Sequence, residues 1–118
     1  MSVQTQLFLL LTGGATDAGA RVFPMTAPDS TVRPYVIFQR VSTSSENVLY
    51  GATGLANTRM QIDVYSDTYA GAQALAVQID TLMNGWIVPN TSVLEQDIYE
   101  DPVKLYRVSM DYSIWHDW

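Results

Sequence analysis

Residues 51–85, GATGLANTRMQIDVYSDTYAGAQALAVQIDTLMNG, decide the fold. Arg59-Met60-Gln61-Ile62-Asp63-Val64-Tyr65 alternates polar and apolar, the period of a half-buried strand with Met60, Ile62 and Val64 on one face. Ser66-Asp67-Thr68 supplies capping oxygens, and the helix after it carries Ala72, Leu75, Ala76, Ile79, Leu82 and Met83 along one stripe. Asn84-Gly85 is expected to end that helix in a left-handed conformation. The block is built to pack and to present an edge and a loop, which points towards assembly rather than chemistry.

Outward from this block, Ser2 to Leu11 is a second helix, stopped by Thr12-Gly13-Gly14. Thr16 to Ala20 is turn-like, and Arg21-Val22-Phe23 reads as a short strand. Pro24, Pro28 and Pro34 punctuate an irregular connection. A long strand follows over Tyr35 to Ser42, with Tyr35, Ile37, Gln39 and Val41 on one face and Val36, Phe38 and Arg40 on the other. Thr43 to Asn57, rich in Ser, Thr, Asn and Gly, is a long hairpin arm or loop between the first two long strands, and connections of that length are often functional. A strand near Ser92 to Tyr99, an acidic turn at Glu100-Asp101-Pro102 and a cleanly alternating strand from Lys104 to Trp115 complete the chain. The expected fold is α+β: an antiparallel sheet of about four strands with two helices packed on one face. Arg59, Gln61, Asp63, Arg107, Ser109 and Asp111 are expected on the polar sheet face.

The 118 residues make a single domain, 1–118, able to bury a core without staples. With 47% hydrophobic and only 15% charged residues, part of the surface is expected to be covered by a partner. There is no cysteine, so disulfides and thiolate metal sites are excluded. A net charge of −6, with Arg21, Arg33, Arg40, Arg59, Lys104 and Arg107 spread singly, argues against binding a nucleic-acid backbone. The run Leu7 to Leu11 has no preceding positive charge and is expected in a buried helix rather than a signal peptide. No segment approaches the roughly 20 apolar residues that span a bilayer, so no membrane partner is expected and the host cytoplasm is the expected site of synthesis and assembly.

Nucleophilic catalysis requires an activated group with a base in reach, and the sole histidine, His116, sits beside the C-terminus, where a surface position is expected. One histidine supplies no zinc or iron site. Glu95, Asp97, Glu100 and Asp101 resemble a loose calcium loop but lack the EF-hand spacing, and an acidic turn in solvent is the simpler reading. Gly51-Ala52-Thr53-Gly54 precedes a strand and is followed by no lysine, so it is no phosphate cradle. Neither a cofactor nor a metal is expected. Arg59, Asp63, Arg107 and Asp111 are candidates for acid–base chemistry, with cross-strand ion pairs on a polar or subunit-facing surface the simpler reading. Tyr50, Trp86, Trp115 and Trp118 are candidates for subunit contacts, with local packing the alternative for Trp86 and Trp115.

Several ordered segments resemble the tail-completion proteins of long-tailed phages, also called tail terminators or head-to-tail joining proteins. They are Arg21-Val22-Phe23-Pro24, Pro34-Tyr35-Val36-Ile37-Phe38-Gln39, Leu49-Tyr50-Gly51-Ala52-Thr53-Gly54-Leu55, the strand Arg59 to Tyr65, the Ala-rich helix, and Leu105 to Trp115. The resemblance implies a structural role without catalytic residues. It implies a ring, typically hexameric, that caps the head-proximal end of the tail tube, ends tail growth and docks on the head connector or stopper while DNA passes through the lumen unbound. Its implied place is the virion tail. Candidate contacts with subunits and partners are Val48, Leu49, Tyr50, Thr53, Leu55, Arg59, Asp63, Arg107 and Asp111. The alternatives are a head-completion or tail-tube subunit, or a small enzyme using the carboxylates near Asp63 and Asp111.

Overall fold

The computed structural model describes residues 2–48 and 51–117, with side chains undescribed at 45–48, 51–55 and 117. Helix α1 spans Val3–Gly13 and α2 spans Tyr69–Gly85; strands β1 to β5 span Val22–Pro24, Tyr35–Val48, Gly51–Ser66, Asn90–Glu100 and Leu105–Asp117. The sheet order is β1-β2-β3-β5-β4. Both helices pack on one face, the α+β arrangement expected from the alternation. The sheet has five strands rather than four and is mixed, because β1 pairs parallel with β2 through Val22↔Val36 and Pro24↔Phe38. The chain reaches that parallel edge through the proline-punctuated connection rather than through a helix.

Parity along the strands builds the core. Val36 and Phe38 of β2, Met60, Ile62 and Val64 of β3, and Val108, Met110, Tyr112 and Ile114 of β5 are buried against Leu7 and Leu11 of α1 and Ala72, Leu75, Ala76, Ile79 and Met83 of α2. Leu82 and Trp86 are partly buried at the margin of that cluster, so Trp86 packs locally. Val41 is an extra residue between the paired Arg40 and Ser42, and the irregularity leaves it 53% exposed.

Local chemistry sets the helix ends. Ser2 caps α1 by accepting from the Thr5 N–H, and Thr68 caps α2 by accepting from the Gly71 N–H. The left-handed stop expected at Asn84-Gly85 does not form. The helix runs through Gly85, and Trp86 leaves in an extended conformation (φ −73°, ψ 138°) with its N–H bonded to the Met83 carbonyl. The Asn90 side-chain amide donates to the carbonyls of Met83 and Val88, each at 2.9 Å, and so satisfies a helix end that a left-handed residue would otherwise have closed.

The β2–β3 hairpin sets the shape. Its pairing continues from Tyr35↔Tyr65 to Val48↔Gly51, so the Thr43–Asn57 segment is a hairpin arm of paired strands, not a loop. Sixteen residues of β3 reach about 50 Å in extended backbone, which accounts for the long axis of a molecule measuring 52 × 26 × 23 Å.

Candidate assembly surfaces

The sheet face turned away from the helices carries a polar network. Asp63 pairs diagonally with Arg107 across β3 and β5 at 3.0 Å, and Arg107 also holds Glu100 at 2.8 Å. The Gln61 amide donates to both Asp63 oxygens, at 3.2 and 2.9 Å. One step along the strands Arg59 approaches Asp111 at 3.4 Å, and Asn57 donates to Ser113 at 2.7 Å. Tyr35 and Tyr65 stack at 4.9 Å beside this row, and the Arg107 guanidinium lies 5.7 Å from the Tyr65 ring centre. The structure therefore brings Arg59, Asp63, Arg107 and Asp111 onto one face as cross-strand pairs. Each carboxylate has its cation, and the arrangement leaves no base poised over a cleft.

Electrostatics follow the same geometry. Burial works against the Arg107 charge, but hydrogen bonding to Glu100 and the nearby Asp63 outweigh it and hold the guanidinium above its ordinary value. Burial raises the Tyr65 hydroxyl, with Arg107 opposing.

The acidic residues of the loose calcium-loop reading do not converge. Glu95 and Asp97 pair with Met110 and Val108 on the helix side, whereas Glu100 pairs with Leu105 on the open side. Among the described residues no group of three or more potential ligands gathers. His116 is not the surface residue expected near the C-terminus: it is half-buried, and its Nε2 lies 2.6 Å from the hydroxyl of fully buried Thr58, which also meets Thr43 at 2.8 Å. Threonines at core positions in a polar arm were the signal for that partner. No helix of the described residues is long and apolar enough to cross a membrane.

Two sheet edges are open among the described residues. One is the outer edge of β4, the last strand in the order. The other is β2 beyond Phe38, where β1 ends: the Met25 N–H makes a last bond to the Phe38 carbonyl, and Met25 then turns away at φ 68°. At the arm, Val48 lies in β2 and Thr53 and Leu55 in β3; β5 flanks the arm only as far as the Leu55↔Asp117 pair. Leu49, Tyr50 and Trp118 lie outside the described residues. Trp115 is 37% exposed on the C-terminal strand.

A polar open face, two free edges and an extended arm form an arrangement suited to assembly, and comparison with known proteins places it. The family model for tail completion protein gp17 matches residues 6–117. The chain belongs to that family. It is a structural protein of the virion tail, not an enzyme. A chain of the solved structure "Virion of native gene transfer agent (GTA) particle" is similar to it, with a TM-score of 0.74 at 14% identity over 99% of this chain and 96% of that one. At that identity the likeness is one of fold. None of the curated proteins matches the chain.

Proposed function

We propose that this tail completion protein closes into a ring, a hexamer, on the head-proximal end of a finished tail tube, ends tube growth there and forms the joint to the head connector or stopper. The whole chain, 1–118, acts as one unit. The observation that carries the reading is the pair of unlike open edges, β2 beyond Phe38 and β4, at opposite ends of one sheet. Unlike patches give heterologous contacts, which close into rings when the rotation permits. Open edges are aggregation hazards unless a neighbour covers them, and a ring covers every one.

In this reading the arm residues Val48, Leu49, Tyr50, Thr53 and Leu55 reach the adjacent subunit, and the row of Arg59, Asp63, Arg107 and Asp111 faces a subunit or the tube. The net charge of −6, repeated around a lumen, repels the DNA backbone, so DNA passes without being held. The tail tube protein and the connector are the partners, and assembly takes place in the host cytoplasm.

The test is mass measurement with negative-stain microscopy on purified protein at low and high concentration, with and without tail tubes. The proposal expects one closed ring with a central hole, either free or at tube ends. Long stacks from this protein alone identify a tube subunit instead. Protein that stays monomeric even on tubes rejects the ring.

A further inference from the structure

We propose that a groove beside α1 receives strand β4 of a second copy of this chain, with Arg40 of one copy paired to the carboxylates of Glu95 and Asp97 of the next. The inference rests on the ring reading and names the contact that closes it.

The groove has a volume of about 700 Å³ and is lined by Gln4, Thr5 and Phe8 of α1, Met25 after β1, and Phe38 and Arg40 of β2. It lies where β1 stops covering β2, so an apolar hollow and an unpaired strand edge adjoin. Met25 is 67% exposed there. Arg40 is exposed and makes no hydrogen bond or ion pair among the described residues, and it is the only charged residue of the lining.

Strand β4 matches this site in side, direction and charge. Arg40 and Phe38 pair with Met60 and Ile62, which places them on the helix side of the sheet. Glu95, Asp97 and Tyr99 pair with Met110, Val108 and Tyr106, on that same side of β4. When β4 of one copy lines up on β2 of the next with both helix layers facing one way, the two carboxylates and an aromatic ring fall on the side of the hollow. The direction also agrees. Each step from β2 to β3 to β5 to β4 is antiparallel, so β4 runs opposite to β2. A ring axis running along the strands preserves that sense, and the new contact is an antiparallel addition at two edges that are otherwise open. Glu95 is exposed and, like Arg40, has no hydrogen bond or ion pair among the described residues. Opposite charges lacking partners at the two ends of one sheet are the complementarity that sets register between copies.

The charges can be reversed without touching the core. Arg40→Glu alone, and Glu95→Arg with Asp97→Arg together, are each expected to weaken ring formation roughly tenfold or more, because every contact then sets like charges together. Mixed in equal amounts, the two variants are expected to form rings again. In an alternating ring, one contact sets the introduced charges, now of opposite sign, against each other, and the next restores the native pairing of Arg40 with Glu95 and Asp97. Circular dichroism of each variant checks that the fold is intact. Rings of wild-type strength from Arg40→Glu overturn the groove contact while leaving the ring reading in place. Failure of the mixture to recover rings, with both variants folded, overturns the charge pairing. Rings that form normally but no longer bind tubes assign the groove to the tube protein instead of a second copy. A wild-type protein that never forms rings, even on tubes, removes the ring reading and this inference together.

Discussion

Asp63 has a side chain only 7% exposed although no helix covers its face of the sheet, and its guanidinium partner Arg107 is 21% exposed. Removing Arg107 leaves a buried carboxylate with an amide as its remaining partner. Arg107→Ala is therefore expected to cost about 3–5 kcal/mol in urea unfolding. Arg59→Ala breaks a longer pair whose cation is 43% exposed, and about 1 kcal/mol or less is expected there. A larger loss at Arg59 than at Arg107 would contradict this ranking. Tyr112 gives a pH signature. Burial first, and then its hydrogen bond to Asp80 at 2.7 Å, push its hydroxyl above the ordinary 10.0. The unfolded chain loses that proton near pH 10 while the folded one keeps it, so stability is full below pH 10 and falls as pH rises beyond it. Tyr112→Phe should lower Tm at neutral pH by the worth of one hydrogen bond, about 1 kcal/mol, and flatten the alkaline fall. An alkaline limb unchanged by the substitution would assign the fall to other tyrosines. Strand parity made the Arg59, Asp63, Arg107 and Asp111 row legible in the sequence. The Thr58–His116 contact was not, because it joins residues 58 positions apart through a register that alternation alone does not set.

At the scale of elements, α2 shows how caps depend on small residues. A Cβ on Gly71 would come within 2.5 Å of the Ser66 hydroxyl and 2.8 Å of the Thr68 hydroxyl, the two groups that build the cap. Gly-to-Ala in an exposed helix ordinarily stabilises by about 1 kcal/mol; Gly71→Ala is expected to destabilise instead, because those hydroxyls must rotate away. A higher Tm for the variant would show that the cap re-forms. The hairpin arm gives a second element-scale expectation. No residue between 44 and 57 belongs to the core cluster among the described residues, so deleting Val48 to Thr53 should leave a folded protein that no longer closes a ring. Mass measurement together with amide dispersion in an NMR spectrum checks both halves, and unchanged oligomerisation would remove the arm from the contact. The alternation of Arg59 to Tyr65 and of Lys104 to Trp115 made the antiparallel pair readable. The arm's Ser, Thr and Asn favour turns in isolation, yet paired backbones supply their hydrogen bonds, so the sequence read as loop where the chain forms strand. The parallel placement of β1 depends on the course of the connection over residues 25–34, which carries no periodic signal.

The whole molecule is longer than its mass requires. A compact chain of 118 residues has a radius of gyration of about 13.5 Å, against 15.0 Å here, and the difference lies along the hairpin. A protein that extends an arm and leaves both sheet edges open is shaped to be finished by neighbours. Composition hinted at this through sparse charge, but the two edges became visible only with the strand order, a long-range property that no local pattern encodes. The central claim is that the protein stops tail growth by closing one ring at one end of the tube. The most direct measurement takes tail tubes assembled without it, adds the purified protein, then supplies further tube subunits and images the tubes by electron microscopy. The expected result is a single ring at one end of each tube, with no extension at that end. Tubes that lengthen at the capped end, or that incorporate the protein along their length, would contradict it.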